Sequence, residues 1–551
     1  MKILVRTLEA ALVILAVALL ALLSPACCPT CTLPPDYQPP PPNPLYDLLI
    51  VNGTVLDGGG GEPFQADVAI LGDRIAAVGD LGGARAREVI DATGLYVTPG
   101  FIDVHSHADR ELTELPDAPN LVRQGITTVV AGNCGGSAYP VGEFFQSVEV
   151  QGTALNVALL IGHNTIRRQV MGMAARPPTA EELEQMRGLV RRGMEEGAVG
   201  LSTGLKYPPG AWADTDEVAA LAEAAAEFGG LYASHMREEG REVVDAVAET
   251  IEIGRRAGLG VQISHHKVTS VDLWGASSAT LGLVDAALEE GIAVYIDQYP
   301  YPATSTALTV LLPPWSLEGG RERLAERLEN PELRARIREA IVENILHDRG
   351  GSDPANIRIA DCESRPDAEG RSFAELLEER GREPTPEEAA ELTMEIQAEG
   401  GAQAIYFCLA DEDIERIMRH PRTMIASDSH ICSLGEGVPH PRNYGTFPRV
   451  FRLYVRELGV LTYAEAVRKM TSLPAEAFRL HGRGLIARGM FADICVFDPE
   501  IVADTATWDN PHCYPVGIRA VIVNGRLAVW EGRQLGERAG RVLRHVPRVN
   551  R

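Results

Sequence analysis

Between residues 98 and 485 short apolar runs alternate with longer stretches in which apolar residues return every three or four positions. Eight runs read as strands: GFIDVHSH (100–107), TTVVAGNC (127–134), VALLIGH (157–163), AVGLSTG (198–204), GLYASHMR (230–237), GVQISHHK (260–267), IAVYIDQYPY (292–301) and TMIASDSH (423–430). The segments between them read as amphipathic helices with legible ends. Thr179 and Glu182 make a capping box ahead of Leu183, Met186 and Val190, while Val218, Leu221, Ala225 and Phe228 share a stripe that stops at Gly229-Gly230. Eight strand–helix repeats predict an α/β fold of the TIM type, a (β/α)8 barrel. A doubly wound open sheet has the same local pattern, and periodicity alone does not separate the two.

Towards both ends the period shortens to two. LLIVNGTVLDGG, ADVAILGDRIAAVGD and EVIDATGLYVTPG near the start, and FADICVFDP and AVIVNGRLAVWEGR near the end, read as short strands, with Asn52-Gly53 and Asn524-Gly525 as hairpin turns. Residues 46–97 and 486–547 are therefore expected to build one small β-sandwich beside the barrel of 98–485. Residues 311–421 are far too long for a connection between strands seven and eight and are rich in helix formers, which predicts a mostly helical insertion or lid. A decorated barrel helix with no role at the site is the plainer alternative.

The first 26 residues change the picture of where the chain works. Lys2 and Arg6 precede an apolar run from Ala10 to Leu23, the length of a signal-peptide core and short of the roughly 20 residues that span a bilayer. Residues 27–45 are rich in Pro and Cys and read as an extended linker. The expectation is export to the bacterial cell envelope or periplasm, with cleavage after Ala26, lipidation of Cys27 and an uncleaved anchor as the open outcomes. A formal charge of −25 sets the surface against nucleic acid and anionic membranes, so membrane attachment is expected only through the leader. Nine cysteines, three of them in the leader and linker, form no disulfide framework in a chain of 551 residues, although a stray bridge among Cys362, Cys408, Cys432, Cys495 and Cys513 stays open.

Barrel enzymes carry their reacting groups at the C-terminal ends of strands. Here those ends hold His105, His107, Cys134, His163, His235, His265, His266, Asp297 and Asp428. His105 and His107 are two apart, so on a strand both face one side and reach one metal ion. Single histidines ending strands five and six, and an aspartate on strand eight, complete a metal-binding pattern. For the doublet His265-His266, alternation alone does not say which ring faces the site.

GFIDVHSHAD, GITTVVAGNCGGS, GAVGLSTGLKYPPGAWADTDE, ASHMREEG, QISHHK, DQYPYPATST, ASDSH, HPRNYGTFPRVFRLYVRE and MTSLPAEAFRL together resemble the N-acyl-D-amino-acid deacylases, or D-aminoacylases, of the amidohydrolase superfamily, over roughly residues 47 to 545. The resemblance implies that Cys134, His235 and His265 hold a tight Zn2+ and that His105 and His107 form a second, weaker position, with the cysteine taking the bridging place that a carboxylated lysine has in many relatives. Lys206, just past strand four, keeps the lysine arrangement open.

Zinc brings a bound water towards neutral pKa, and Asp428 is placed to take that water's proton as general base and return it to the departing amine. An N-acylated amino acid also presents a carboxylate. Lys267 and Arg442, with Tyr299, Tyr301 and Ser305, resemble the family's holders of that group. Arg237 shares the face of His235 and serves either there or as anchor for a neighbouring acid, and His163 either contacts the developing oxyanion or supports a ligand. The activity implied is zinc-dependent hydrolysis of small N-acyl-D-amino acids to a carboxylate and a free D-amino acid. A cyclic amide or dipeptide substrate, and a non-catalytic envelope binding protein, are the alternatives.

Overall fold

The computed structural model describes residues 44–546 together with Tyr37 and Pro39. The leader, Cys27 and nearly all of the linker lie outside the described residues. Among the described residues no helix is long and apolar enough to cross a membrane, and all six cysteines, Cys134 to Cys513, are free.

Eight parallel strands form the barrel in chain order: Phe101–Asp103, Ile126–Ala131, Asn156–Gly162, Gly200–Gly204, Leu231–His235, Val261–Ile263, Val294–Gln298 and Thr423–Ile425. The open-sheet alternative fails at the last step, because the eighth strand returns to the first. Ser106 bridges Ser429, the His107 N–H donates to the Ser429 carbonyl at 2.8 Å and the Asp428 N–H to the His105 carbonyl at 2.8 Å. Alternation along the strands does the packing. Ile102, Val130, Leu160, Ala233, Tyr295 and Met424 fill the inside, while Phe101, Val129, Leu159, Leu201, Tyr232 and Ile296 face the surrounding helices. Those helices begin and end as their sequence predicts. Thr179 and Glu182 exchange both capping-box bonds at the start of Ala180–Glu195, and the chain after Thr215–Ala226 turns at Gly229 with φ of 79°.

The two ends of the described chain meet in one hydrogen-bonded sheet of nine strands rather than two separate sheets. The reason lies in Leu45–Val55, an unbroken strand of 11 residues that pairs with Arg85–Asp91 along its first part and with Tyr96–Pro99 at its end. Asn52-Gly53 is therefore a bulge inside that strand, not a hairpin, with Asn52 at φ of 60°. A side chain at Gly53 would run into Val97. Asn524-Gly525, by contrast, is the two-residue turn between Ile518–Val523 and Arg526–Trp530, with φ of 46° and 78°.

The long excursion between the seventh and eighth barrel strands is mostly helical and also carries a small sheet. The helices Arg321–Glu329, Pro331–His347, Phe373–Glu379 and Pro386–Glu399 accompany a three-stranded antiparallel sheet of Ala303–Ala307, Gln403–Phe407 and Ile357–Asp361. The excursion thus starts at about Ala303. The helix Asp411–Arg419 packs against the eighth strand and the helix Ser277–Glu289, the place of an ordinary barrel helix.

Candidate metal centre

Six side chains converge at the C-terminal mouth of the barrel. His235 is the last residue of the fifth strand, and His105, His107, Cys134, His265 and Asp428 stand just beyond the ends of the first, second, sixth and eighth. Their ligand atoms fall into two groups, each within 4.8 Å of one another: His105, His107, Cys134 and Asp428, and Cys134, His235 and His265. Cys134 belongs to both. Its Sγ lies 3.2 Å from His105 Nε2, 3.4 Å from His265 Nε2 and 3.6 Å from His235 Nδ1. Three of the six, Cys134, His265 and Asp428, have positive φ (53°, 36° and 51°) without being glycine, so the backbone is turned against its preference to aim them.

Buried carboxylates set the ring tautomers. Asp297, fully buried, sits 3.2 Å from His105 Nδ1, which leaves Nε2 free to face the thiol. Glu239, also fully buried, faces two rings at once, lying 3.1 Å from His265 Nδ1 and 3.5 Å from His235 Nε2. In His105 and His265 the outer nitrogen lies within hydrogen-bonding distance of a carboxylate and the inner one is open for a metal, while His235 Nε2 faces the Glu239 charge without a hydrogen bond. Glu239 is held in turn by Lys267 (2.5 Å) and by Arg349 (2.8 Å), a fully buried arginine from the excursion. Burial alone would raise the Glu239 carboxyl, but Lys267, His235 and His265 keep it well below the usual range. For Cys134, desolvation raises the thiol and the rings of His105 and His265 more than offset it, favouring the thiolate. A thiolate with imidazole nitrogens is a donor set that suits zinc, and both groups have the compactness one ion requires.

Asp428 Oδ1 lies 3.2 Å from His107 Nε2, and its Oδ2 pairs with Arg442 Nη1 at 2.7 Å. Burial raises this carboxyl, and Arg442 followed by His105 brings it well below the usual carboxylate range. Arg442 also lies over the Tyr299 ring, 4.9 Å from its centroid, and donates to the Ser305 carbonyl at 3.3 Å. The Tyr299 hydroxyl is buried with no hydrogen-bond partner, as a group aimed at a ligand would be. Lys267 is less free than its position in SHHK suggests. Besides Glu239 it touches His265 Nδ1 (2.7 Å) and the His265 carbonyl (2.6 Å). That nitrogen cannot both accept from Lys267 and donate to Glu239, and metal ligation through Nε2 requires the second. Tyr301 stands apart from the ligands, its ring against His440, Trp508 and Arg449.

Several residues weighed from sequence have other partners. Lys206 lies between Glu238 (2.7 Å) and Asp348 (2.9 Å), an ammonium held by two carboxylates, which gives it partners other than a metal ion. His163 Nε2 pairs with Glu217 at 2.9 Å beside Arg167, which gives it a role in the helix layer and none at the ligands. Arg237 anchors an acid, Glu249, at 2.9 Å. His266 faces away from its neighbour, bonded to Thr280 at 2.8 Å, and burial lowers its pKa to about 4. Sequence reasoning missed Glu239, although ASHMREEG places it only four residues beyond His235, in the loop after the fifth strand. Arg349 carries no local signal, because only the folded excursion brings it to Glu239.

A model of the amidohydrolase family matches residues 88–529. The chain is 38% identical over 534 residues to a D-aminoacylase of Alcaligenes xylosoxydans xylosoxydans, covering 92% of this chain and 98% of that protein. It is 38% identical over 520 residues to an N-acyl-D-glutamate deacylase of the same organism, covering 90% and 96%. The solved structure of an N-acyl-D-glutamate deacylase from Bordetella bronchiseptica, complexed with zinc and a phosphonate mimic of the tetrahedral intermediate, superposes with a TM-score of 0.78 at 37% identity, over 91% of this chain and all of that one. The chain belongs to the amidohydrolase family, among its D-aminoacylases.

Proposed function

We propose that this amidohydrolase hydrolyses N-acyl-D-amino acids with zinc held by Cys134, His235 and His265, and with a second ion at His105, His107 and the same thiol. The observation that carries the reading is the pairing of Asp428 with Arg442 beside the ligand set, a proton acceptor and a holder for a carboxylate 2.7 Å apart. When bound, zinc supplies a water of lowered pKa and polarises the scissile carbonyl. Asp428, ionised and aimed at the ligand set, takes the proton of the attacking water and passes it to the amine nitrogen as the C–N bond breaks. Arg442, Lys267 and the Tyr299 hydroxyl hold the substrate carboxylate and so fix which amide bond reaches Asp428. Arg442 then has two anions to serve. As the substrate carboxylate takes a share of its charge, Asp428 is less strongly stabilised as an anion and becomes a better base. The D configuration is supported by the likeness to relatives named for N-acyl-D-amino acids.

The test is hydrolysis by the purified, zinc-loaded protein of a panel of N-acyl-D-amino acids and their L enantiomers, followed by release of free amine. D-selective cleavage is expected, and no turnover across a varied panel would sink the reading. We further infer export to the envelope by the leader of residues 1–26, either cleaved or tethered through Cys27. Fractionation and the mass of the mature N-terminus test that.

A further inference from the structure

A cavity of about 870 Å3 lies between the barrel mouth and the excursion. One wall is Leu205 to Tyr207 after the fourth strand and Arg237 to Glu238 after the fifth, and the other is built by the excursion from Val310, Leu312, Leu317, Leu324 and Ala340. Its wall residue Tyr207 packs on His235, ring centroids 4.6 Å apart, so one side chain separates the inner end of the cavity from the metal centre. Charges on the wall are mostly spent on one another: Lys206 on Glu238 and Asp348, Arg237 on Glu249, Arg241 on Glu343. What remains open to an occupant is chiefly aliphatic, with Arg321 exposed to solvent.

The carboxylate-holding groups, Lys267, Tyr299 and Arg442, follow the sixth, seventh and eighth strands, whereas the barrel wall of the cavity follows the fourth and fifth. In an N-acyl amino acid the carboxylate and the acyl chain leave the amide in opposite directions across a trans bond. A substrate held by its carboxylate on one flank therefore sends its acyl chain to the other, where the cavity is. An acetyl group would leave nearly all of that volume unfilled, since pockets of roughly 300–1,000 Å3 bury whole drug-sized ligands.

Resting on the proposed deacylase activity, we propose that the cavity is an acyl-chain site and that the substrates are N-acyl-D-amino acids with long, unbranched aliphatic acyl groups. Water adds across the amide, the acyl carbon–nitrogen bond breaks, and a fatty carboxylate leaves with the free D-amino acid. Each methylene moved from water to the aliphatic wall adds transition-state binding, so kcat/KM should climb by roughly tenfold for every two methylenes buried until the cavity is full.

The experiment measures kcat/KM of the zinc-loaded protein for acetyl, butyryl, octanoyl and dodecanoyl derivatives of one D-amino acid. It is repeated with Ala340→Trp, which fills the excursion wall. A steep rise with chain length is expected, with the dodecanoyl-to-acetyl ratio reduced at least tenfold in the variant. A second measurement needs no variant: dodecanoate should inhibit acetyl-substrate hydrolysis competitively and far more tightly than butyrate. D-selective cleavage of the acetyl substrate with no gain on lengthening, and equal inhibition by the two carboxylates, would overturn the acyl-chain site while leaving the deacylase reading intact. No cleavage at any chain length overturns both.

Discussion

The two halves of the metal centre share a sulfur and little else. On the side of His235 and His265 the outer nitrogens of both rings meet one fully buried carboxylate, Glu239, itself clamped by Lys267 and Arg349. On the side of His105 and His107 only His105 has such support, from Asp297, while His107 Nδ1 has no carboxylate paired with it among the described residues and its ring is partly exposed; His235 Nε2, 3.5 Å from Glu239, makes no hydrogen bond but does face that charge. The oxygen donor of that half, Asp428, is also claimed by Arg442. Ligands whose orientation is fixed in advance lose less freedom on binding an ion, and ligands with competing partners must give something up. The difference teaches that one half is built to hold a metal and the other to handle protons and substrate, with Cys134 joining them.

Removing the shared atom should break both halves. Cys134→Ser replaces a thiolate by a hydroxyl that stays protonated at neutral pH, so tight zinc should be lost and turnover should fall by about a thousandfold or more, read by metal analysis and amine release on one preparation. Asp428→Asn separates the roles. It should keep the tight zinc and lower kcat by roughly 10²–10⁴-fold, the scale of a lost general base. Loss of the tight metal along with activity would mean that Asp428 belongs to the metal-holding half after all.

How much of this was legible in the chain follows the same division. The eight strands, the ligand-type residues at five of their ends and the turn at Asn524-Gly525 depend on local pattern, and periodicity carries that information. Asn52-Gly53 has the same letters and a different outcome, because the flanking strand continues through it to pair with residues 40 to 42 positions away. The choice between His265 and His266 was closed to alternation, since both stand beyond the last strand residue, Ile263, where a turn with positive φ decides the direction. Lys267 lies 2.7 Å from His265, but its burial against Glu239 had no signal in SHHK, and the clamp on Glu239 involves Arg349, 110 residues away. Supporting groups gathered by tertiary folding leave no spacing signature.

Glu239 is where the comparison can be sharpened without touching a ligand. Glu239→Gln keeps the shape but removes the charge that orients His235 and His265, and should weaken the tight zinc by roughly 10–100-fold in a chelator competition. Activity at saturating zinc should fall much less than in Asp428→Asn. If affinity is unchanged and only kcat drops, Glu239 acts on the substrate through Lys267 and not on the metal.

The smallest effect should come from the less supported half. His107→Ala removes a ring that lies 3.2 Å from the Asp428 oxygen and also favours the Cys134 thiolate, and leaves His235 and His265 untouched. The variant should lose the second equivalent of zinc, keep the first with unchanged affinity, and retain kcat within about tenfold, because the base and its arginine remain in place. The tight site should be nearly as strong in this variant as in the wild type, since Glu239, which orients His265 and faces His235, has no contact with His107, and His105 and His265 remain to favour the Cys134 thiolate. A fall in the first zinc's affinity as large as that from Glu239→Gln would show the halves to be one cooperative site, and the division of labour drawn from Glu239 and Asp297 would then fail.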